Sequence, residues 1–377
     1  MSSWIKNITL EGDRTIWGAV LLLSLFSVLV VYSTAGWYFL FNHIAKLLLG
    51  LIAIYVVHKI KFKYFSKLGQ IGFLFSLVLL ILVLLIGVSI NGASRWLQIA
   101  GQQFQPSDLA KLAILIYIAR QISKQRNYLN NFKGFARHVL GPLLLVCALI
   151  LPNNFSTAAL VFINGLMLMF VGRIRIKFIA GIIGIAFVGA ISIYTAEKLS
   201  PVVMAEIIPR SATWVSRIDS FFIDEEGDEQ TKDYQQTQAL VAIQNGGVTG
   251  LGPGKSTQRS ILPYSSSDFI YAIIIEEYGL LGGVMALLFY LILLFRAIRI
   301  SLRIESVFGS LLSIGLMFSL VFQALINMLV SVEIIPVTGQ TLPLISMGGT
   351  SIVFSCIAIG IVLSVSRDAT DRAYEKA

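Results

Sequence analysis

The chain predicts an all-α polytopic membrane protein, and three observations predict it. It is 56% hydrophobic and 13% charged, with a mean hydropathy of +0.81, too apolar for an ordinary soluble domain. Its apolar residues gather in long runs, and its basic residues fall in short clusters between them. Those clusters also give the +9 net charge its meaning: it orients spans in a membrane and does not mark nucleic-acid binding.

The first run, residues 15–35, is longer than the roughly 7–15 residues of a signal-peptide core, so it reads as an uncleaved span. Further runs follow at 44–57, 71–88, 109–119, 139–151, 157–171 and 178–194, then at 269–295, 307–332 and 351–365. This gives about ten transmembrane helices, several needing extension into their flanks to cross the bilayer.

Basic clusters recur after every second span: Lys6 and Arg14; Lys59, Lys61, Lys63 and Lys67; Arg120, Lys124, Arg126, Lys133 and Arg137; Arg173, Arg175 and Lys177; Arg296, Arg299 and Arg303; Arg367, Arg372 and Lys376. Lysine and arginine mark the cytoplasmic side, so both termini are expected there. One large extracytoplasmic loop, about 196–267, then lies between helices 7 and 8, with Asp224, Glu225, Glu226, Asp228 and Glu229 as its solvated tip. Cys147 and Cys356 sit inside apolar runs, and His43, His58 and His138 are scattered. Neither a disulfide framework nor a metal-ligand spacing is indicated.

The loop ends in Ser265-Ser266-Ser267-Asp268, directly before the apolar run. There the Asp268 carboxylate either caps a helix or acts as a base at the mouth of a membrane cavity. Lys255 and Arg259, in the glycine-rich stretch just upstream, are candidates to meet a phosphate. The Gly-Pro-Gly-Lys-Ser run is not a P-loop, because no strand precedes it and it faces outside.

Polar residues recur where lipid is expected. Asp108 and Lys111, three apart, share a helix face and can pair as a structural element, or Lys111 and Arg95 can lend positive charge to an outward cavity. Arg95 beside Trp96 also fits an interface anchor. Pro152 to Thr157, including Asn154, breaks two spans at an outward turn. Glu276 and Glu277 lie about two helical turns below Asp268. The Ile335–Ser351 stretch, rich in proline and glycine, favours a broken backbone around a cavity.

The motifs N-G-A-S-R-W, Q-P-S-D-L-A-K, Y-Q-Q-T-Q-A-L-V-A-I-Q-N-G-G, L-P-Y-S-S-S-D-F-I-Y-A-I-I-I-E-E-Y-G and T-L-P-L-I-S-M-G-G-T-S resemble, in this order, the SEDS family of cell-wall proteins. The resemblance covers essentially all of 1–377 as one SEDS-type membrane domain. It implies a peptidoglycan glycan-strand polymerase that joins lipid II units with inversion and releases undecaprenyl diphosphate. Asp268 matches the family's catalytic aspartate. Arg95, Lys111, Lys255, Arg259, Gln235 and Ser346 then fall to the lipid-diphosphate cavity. Asp108, Asn154, Glu276, Glu277, Pro343, Gly348 and Gly349 become its frame.

The same resemblance implies a bacterial inner-membrane location with the site outside, and a class B penicillin-binding protein as transpeptidase partner, beside the growing glycan strand and other divisome proteins. Septal synthesis fits the closing motif better than elongation. Three departures stand out: Asp108 where the family has Glu, Asn154 nearest a missing aspartate, and Met347 in place of tyrosine. The missing aspartate weakens the anchorage of a divalent cation, magnesium or manganese, with the diphosphate, and the metal stays open. A lipid II flippase and a non-catalytic scaffold for the transpeptidase are the rival readings.

Overall fold

The computed structural model describes residues 10–90, 93–99, 101–125, 128–208, 210–222 and 234–375. The acidic run Asp224–Glu229, together with Lys6, Arg126 and Lys376, lies outside the described residues.

Helix α1 (Arg14–Lys59) starts from Asp13, whose side chain accepts hydrogen bonds from Thr15 N and Ile16 N. A straight helix of its 46 residues would run about 69 Å, more than twice the hydrocarbon thickness. Gly36, at φ 74° and ψ −179°, breaks it. Ser27 Oγ lies 2.7 Å from His43 Nε2, although sixteen residues of straight helix would part them by about 24 Å. The chain therefore turns back on itself at Gly36, and the two apolar runs of the sequence are the two limbs of one broken helix.

Helix α2 (Phe65–Ile86) leads into three short strands, β1 (Val88–Ile90), β2 (Ala93–Ile99) and β3 (Gln102–Phe104), in an antiparallel meander. The sequence reads this stretch as a loop in an all-α protein; the sheet corrects that reading. It places Arg95 on a paired, rigid element, with Trp96 opposite Val88.

Helices α3 (Pro106–Lys124), α4 (Phe132–Ile150), α5 (Phe155–Val171) and α6 (Ile176–Leu199) follow. The expected loop at 196–267 is also largely helical among the described residues: α7 (Pro201–Ile207), α8 (Ser211–Phe222) and α9 (Tyr234–Gly246). Asp219 ties α8 to α6 through Lys198 Nζ and the Tyr194 hydroxyl, each at 2.8 Å. The chain closes with α10 (Ile270–Arg303), α11 (Val307–Ser331) and α12 (Ser351–Glu375). Among the described residues, seven helices are long and apolar enough to cross a membrane. Helix α12 packs along α1, α2 along α3, and α10 along α11 and α9, around one buried apolar cluster, while α6 stands at the edge and is mostly exposed.

Helix α10 is broken at Gly279, φ 69° and ψ −175°. A break at membrane depth strands backbone groups that lipid cannot satisfy. The glycine-rich stretch after α9 supplies the missing partners: Leu251 N and Gly252 N donate to Glu276 O and Glu277 O, each at 2.9 Å. Leu280 N and Leu281 N donate to Gly247 O at 2.9 Å and Val248 O at 3.4 Å. So close an approach excludes a side chain, since a Cβ on Gly279 would stand 2.1 Å from Val248 O.

The stretch before α12 has the expected irregular backbone, with Leu342, Leu344, Ile345 and Ser346 buried. Tyr290 donates its hydroxyl to Pro343 O, and Ser346 Oγ donates to Ser267 O at 2.6 Å. Met347 N donates to Ser266 O at 2.8 Å, so this loop and the turn bearing Asp268 are bonded into one unit.

Candidate active site

Asp268 lies on a tight turn in which Ser267 N, Asp268 N and Phe269 N all donate to Tyr264 O. Helix α10 opens with Phe269 at its N-cap and no side-chain cap bond, so the carboxylate is not spent on capping. Asn327 Nδ2 holds Asp268 O at 2.6 Å. Oδ2 faces Gly339, where a Cβ would come within 3.6 Å. Burial pushes the Asp268 carboxyl above the usual carboxylate range, and Ser267, Arg95 and Arg217 pull it back down.

Three arginines collect near it, of which Arg95 and Arg217 act on its charge and Arg210 stands against Arg95. Arg95 Nε donates to Asn153 O at 2.7 Å, and Arg210 donates to the same carbonyl at 2.9 Å. Arg217 donates to Val337 O at 3.0 Å. Burial, then repulsion from Arg210 and Arg217, pushes Arg95 down to about 10, with Asp268 opposing the shift. At neutral pH it stays cationic. A cavity of about 240 Å³ opens among Arg95, Arg210, Arg217, Asn154, Trp214 and Thr338. Its guanidinium groups and apolar walls suit an anion joined to a hydrocarbon tail.

Asn154 lines this cavity and caps α5, its Oδ1 accepting from Thr157 N at 3.1 Å. Gly349 closes against Trp96, whose ring lies 3.5 Å from a Cβ placed there, and Gly348 lies near Thr341. Gln235 lies on α9 beside Gln236, which donates to Ile335 O at 3.1 Å.

Lys111 gives its hydrogen bond to Gln323 Oε1 at 2.6 Å instead of to Asp108, whose Oδ2 has no partner. The two residues share a face as the spacing predicts, and both line a separate small cavity of about 20 Å³ with Gln323, room for a single water.

Lys255 and Arg259 are not gathered with Asp268. Both are exposed, and Arg259 donates to Ser33 O at 3.0 Å and Gly254 O at 3.4 Å. Their loop is organised instead by Glu276, which accepts from Ser256, Thr257, Gln258 and Asn245, while Ser33 donates to Glu277.

The arginines Arg210 and Arg217 escape a reading of this stretch as loop. Arg210 stands just before α8, its carbonyl accepting from Trp214 N at 3.2 Å, and Arg217 lies within α8; their spacing of seven, about two helical turns, is a signal available in the sequence. The Asn-Gly pair at 91–92 likewise signals a hairpin.

Among the described residues no three His, Cys, Asp or Glu side chains gather for a metal. One carboxylate under the charges of Arg95 and Arg217 is a poor donor set for a divalent cation, which prefers several hard oxygen ligands. The positive charge of the site comes from guanidinium groups.

The pattern of the FtsW, RodA and SpoVE family, described as cell cycle proteins, matches residues 9–371. A Nitrosococcus halophilus protein named probable peptidoglycan glycosyltransferase FtsW is 32% identical over 335 residues, 87% of this chain and 82% of its own. A protein of the same name from Geobacter sp. is 29% identical over 371 residues, 94% of this chain and 97% of its own. Among solved structures, a chain described under "Structural coordination of polymerization and crosslinking by a peptidoglycan synthase complex" superposes with a TM-score of 0.77 at 25% identity, covering 96% of this chain and 99% of that one. The rod shape determining protein RodA of Thermus thermophilus, at 24% identity and TM-score 0.68 over 95% of this chain and 98% of its own, shares the fold.

Proposed function

The chain belongs to the FtsW, RodA and SpoVE family of cell cycle proteins, and from that membership we propose that it is a peptidoglycan glycosyltransferase that polymerises lipid II into glycan strands. The observation that carries the reading is Asp268, partly buried and under the charges of Arg95 and Arg217, beside a cavity that three arginines line.

In the reaction, the Asp268 carboxylate accepts the proton of the acceptor sugar's 4-hydroxyl as that oxygen bonds to the donor's anomeric carbon. The bond from that carbon to the diphosphate breaks, and the electron pair leaves with undecaprenyl diphosphate. Single displacement inverts the anomeric centre. Arg95, Arg210 and Arg217 stabilise the departing charge, and fixed guanidinium groups in a partly dry site do so strongly. Lys111 acts at one remove, through Gln323 and the loop it holds. Ser346 ties the turn bearing Asp268 to the loop before α12, Gln235 lies on α9, and Lys255 and Arg259 belong to the loop that Glu276 holds. A divalent cation would enter bound to the diphosphate, since the site itself offers a single carboxylate to hold it.

In the membrane, the seven long helices, the second limb of α1, α3 and α5 make about ten spans. The basic clusters put both termini in the cytoplasm and Asp268 outside. The FtsW-named relatives support a septal role. The likeness to a chain of a synthase complex supports a class B penicillin-binding protein as partner, alongside other divisome proteins.

The test is polymerisation of labelled lipid II by the purified chain with its cognate transpeptidase, wild type against Asp268→Ala. Glycan strands from wild type alone support the reading, and equal strands from both would sink it.

A further inference from the structure

Inside α11, where the sequence reads as an apolar span, two amide side chains one turn apart reach backbone carbonyls around the proposed site. Asn327 is 1% exposed and Gln323 3%. Asn327 Nδ2 donates to Asp268 O at 2.6 Å and to Gln340 O at 2.7 Å. Gln323 Oε1 accepts from Lys111 at 2.6 Å, and its Nε2 donates to Thr341 O at 2.9 Å.

The partners fix how each amide faces. Backbone carbonyls only accept, so the Asn327 nitrogen must face Asp268 and Gln340. A lysine ammonium only donates, so the Gln323 oxygen must face Lys111. Asn327 thereby spends both amide hydrogens on two separate segments and leaves its own Oδ1 buried without a partner. A bare buried acceptor is unfavourable for stability, so this arrangement favours the two donor bonds over full satisfaction of the side chain.

Those two segments are the walls around the carboxylate. One is the turn at 264–268; the other bears Gly339, which Asp268 Oδ2 faces. Gln340 in turn reaches α5 through Thr157 Oγ1 at 3.0 Å.

We propose that Asn327 is a positioning residue for the Asp268 carboxylate, clamping the turn at 264–268 to the loop at 339–341, and that Gln323 extends the clamp to Lys111. The proposal rests on the polymerase reading, with Asp268 as its base. No shorter or purely apolar residue makes both bonds, and an ionised aspartate, lacking donors, would repel both carbonyls. Displacing a reacting group by about 1 Å costs on the order of 100-fold in rate.

The experiment compares wild type, Asp268→Ala, Asn327→Asp and Asn327→Ser as full chains with the cognate transpeptidase, measuring lipid II polymerisation across pH. Asn327→Asp is expected to lose about 100-fold in kcat with little change in KM. Asn327→Ser keeps one donor and no amide oxygen, and is expected to lose about tenfold, the equivalent of one hydrogen bond.

The pH series separates positioning from general damage. Acid protonates the introduced carboxyl and returns one donor, so the activity of Asn327→Asp relative to wild type should rise as pH falls, although wild type itself slows. A ratio flat across pH, or Asn327→Ser with wild-type kcat, overturns the clamp even where Asp268→Ala is dead. Asp268→Ala as active as wild type instead removes the polymerase reading beneath it.

Discussion

Glu276 holds Thr257 twice: its Oε1 accepts from Thr257 N at 3.1 Å and from Thr257 Oγ1 at 2.7 Å. Ser256 and the N–H of Gln258 complete a ring of neutral donors around a carboxylate with no exposed surface. In this way one of two adjacent acids, costly in a span, becomes the peg of the loop before the site. Replacing it with alanine would strand the buried donors of Ser256 and Gln258 and loosen those of Thr257. Glu276→Ala is expected to lose about 3 kcal/mol or more of stability, read as a lower unfolding midpoint in detergent. An unchanged midpoint would mean the loop finds its bonds elsewhere.

The pH profile of polymerisation should carry the mark of Asp268. A base works only when deprotonated, and burial raises this carboxyl against the pull of Ser267, Arg95 and Arg217. The acid limb of the rate should therefore lie above the unperturbed aspartate value of about 3.9. Arg217→Gln removes one of the opposing cations and should move that limb further toward alkaline pH. A limb that stays in place would separate Arg217 from the base.

Stability gives an independent readout of the same group. A carboxyl raised in the folded state favours folding most when protonated, so its contribution is present below the unfolded pKa and lost as pH rises through the folded one. Asp268→Asn cannot ionise. It should melt higher than wild type at alkaline pH, and the gap should close on acidification. Equal melting at every pH would contradict the burial assigned to the carboxylate.

Lys111 and Asp108 make a different case, because each is buried or half-buried and Lys111 is bonded to Gln323. Lys111→Met leaves Asp108 without its nearby cation, at about 3–5 kcal/mol. Adding Asp108→Asn should restore most of the stability. If activity stays low in the double variant, Lys111 acts on the site through Gln323 and not through the fold alone.

The spans were readable because lipid demands continuous apolar runs, and Asp268 and Arg95 stood out because charge beside such runs needs a reason. Other parts hid for physical causes. Strands β1 and β3 have three residues each, too few to show a period, and β2, Ala-Ser-Arg-Trp-Leu-Gln-Ile, does not alternate cleanly. Local composition sets Lys255 and Arg259 near a phosphate, but their loop is turned toward Glu276. Asn327 serves carbonyls 59 and 13 residues away in the chain, and no spacing rule encodes a side chain that recognises backbone.

The break at Gly279 has a consequence for how the protein is made. A ribosome delivers the stretch at 247–252 before α10, so the backbone partners for the broken helix are already waiting when it emerges. Until they meet, the first limb of α10 carries unpaired peptide groups and cannot settle in the bilayer as an autonomous insertion unit. Its membrane entry and the closure of the glycine-rich stretch over it are one event in biogenesis.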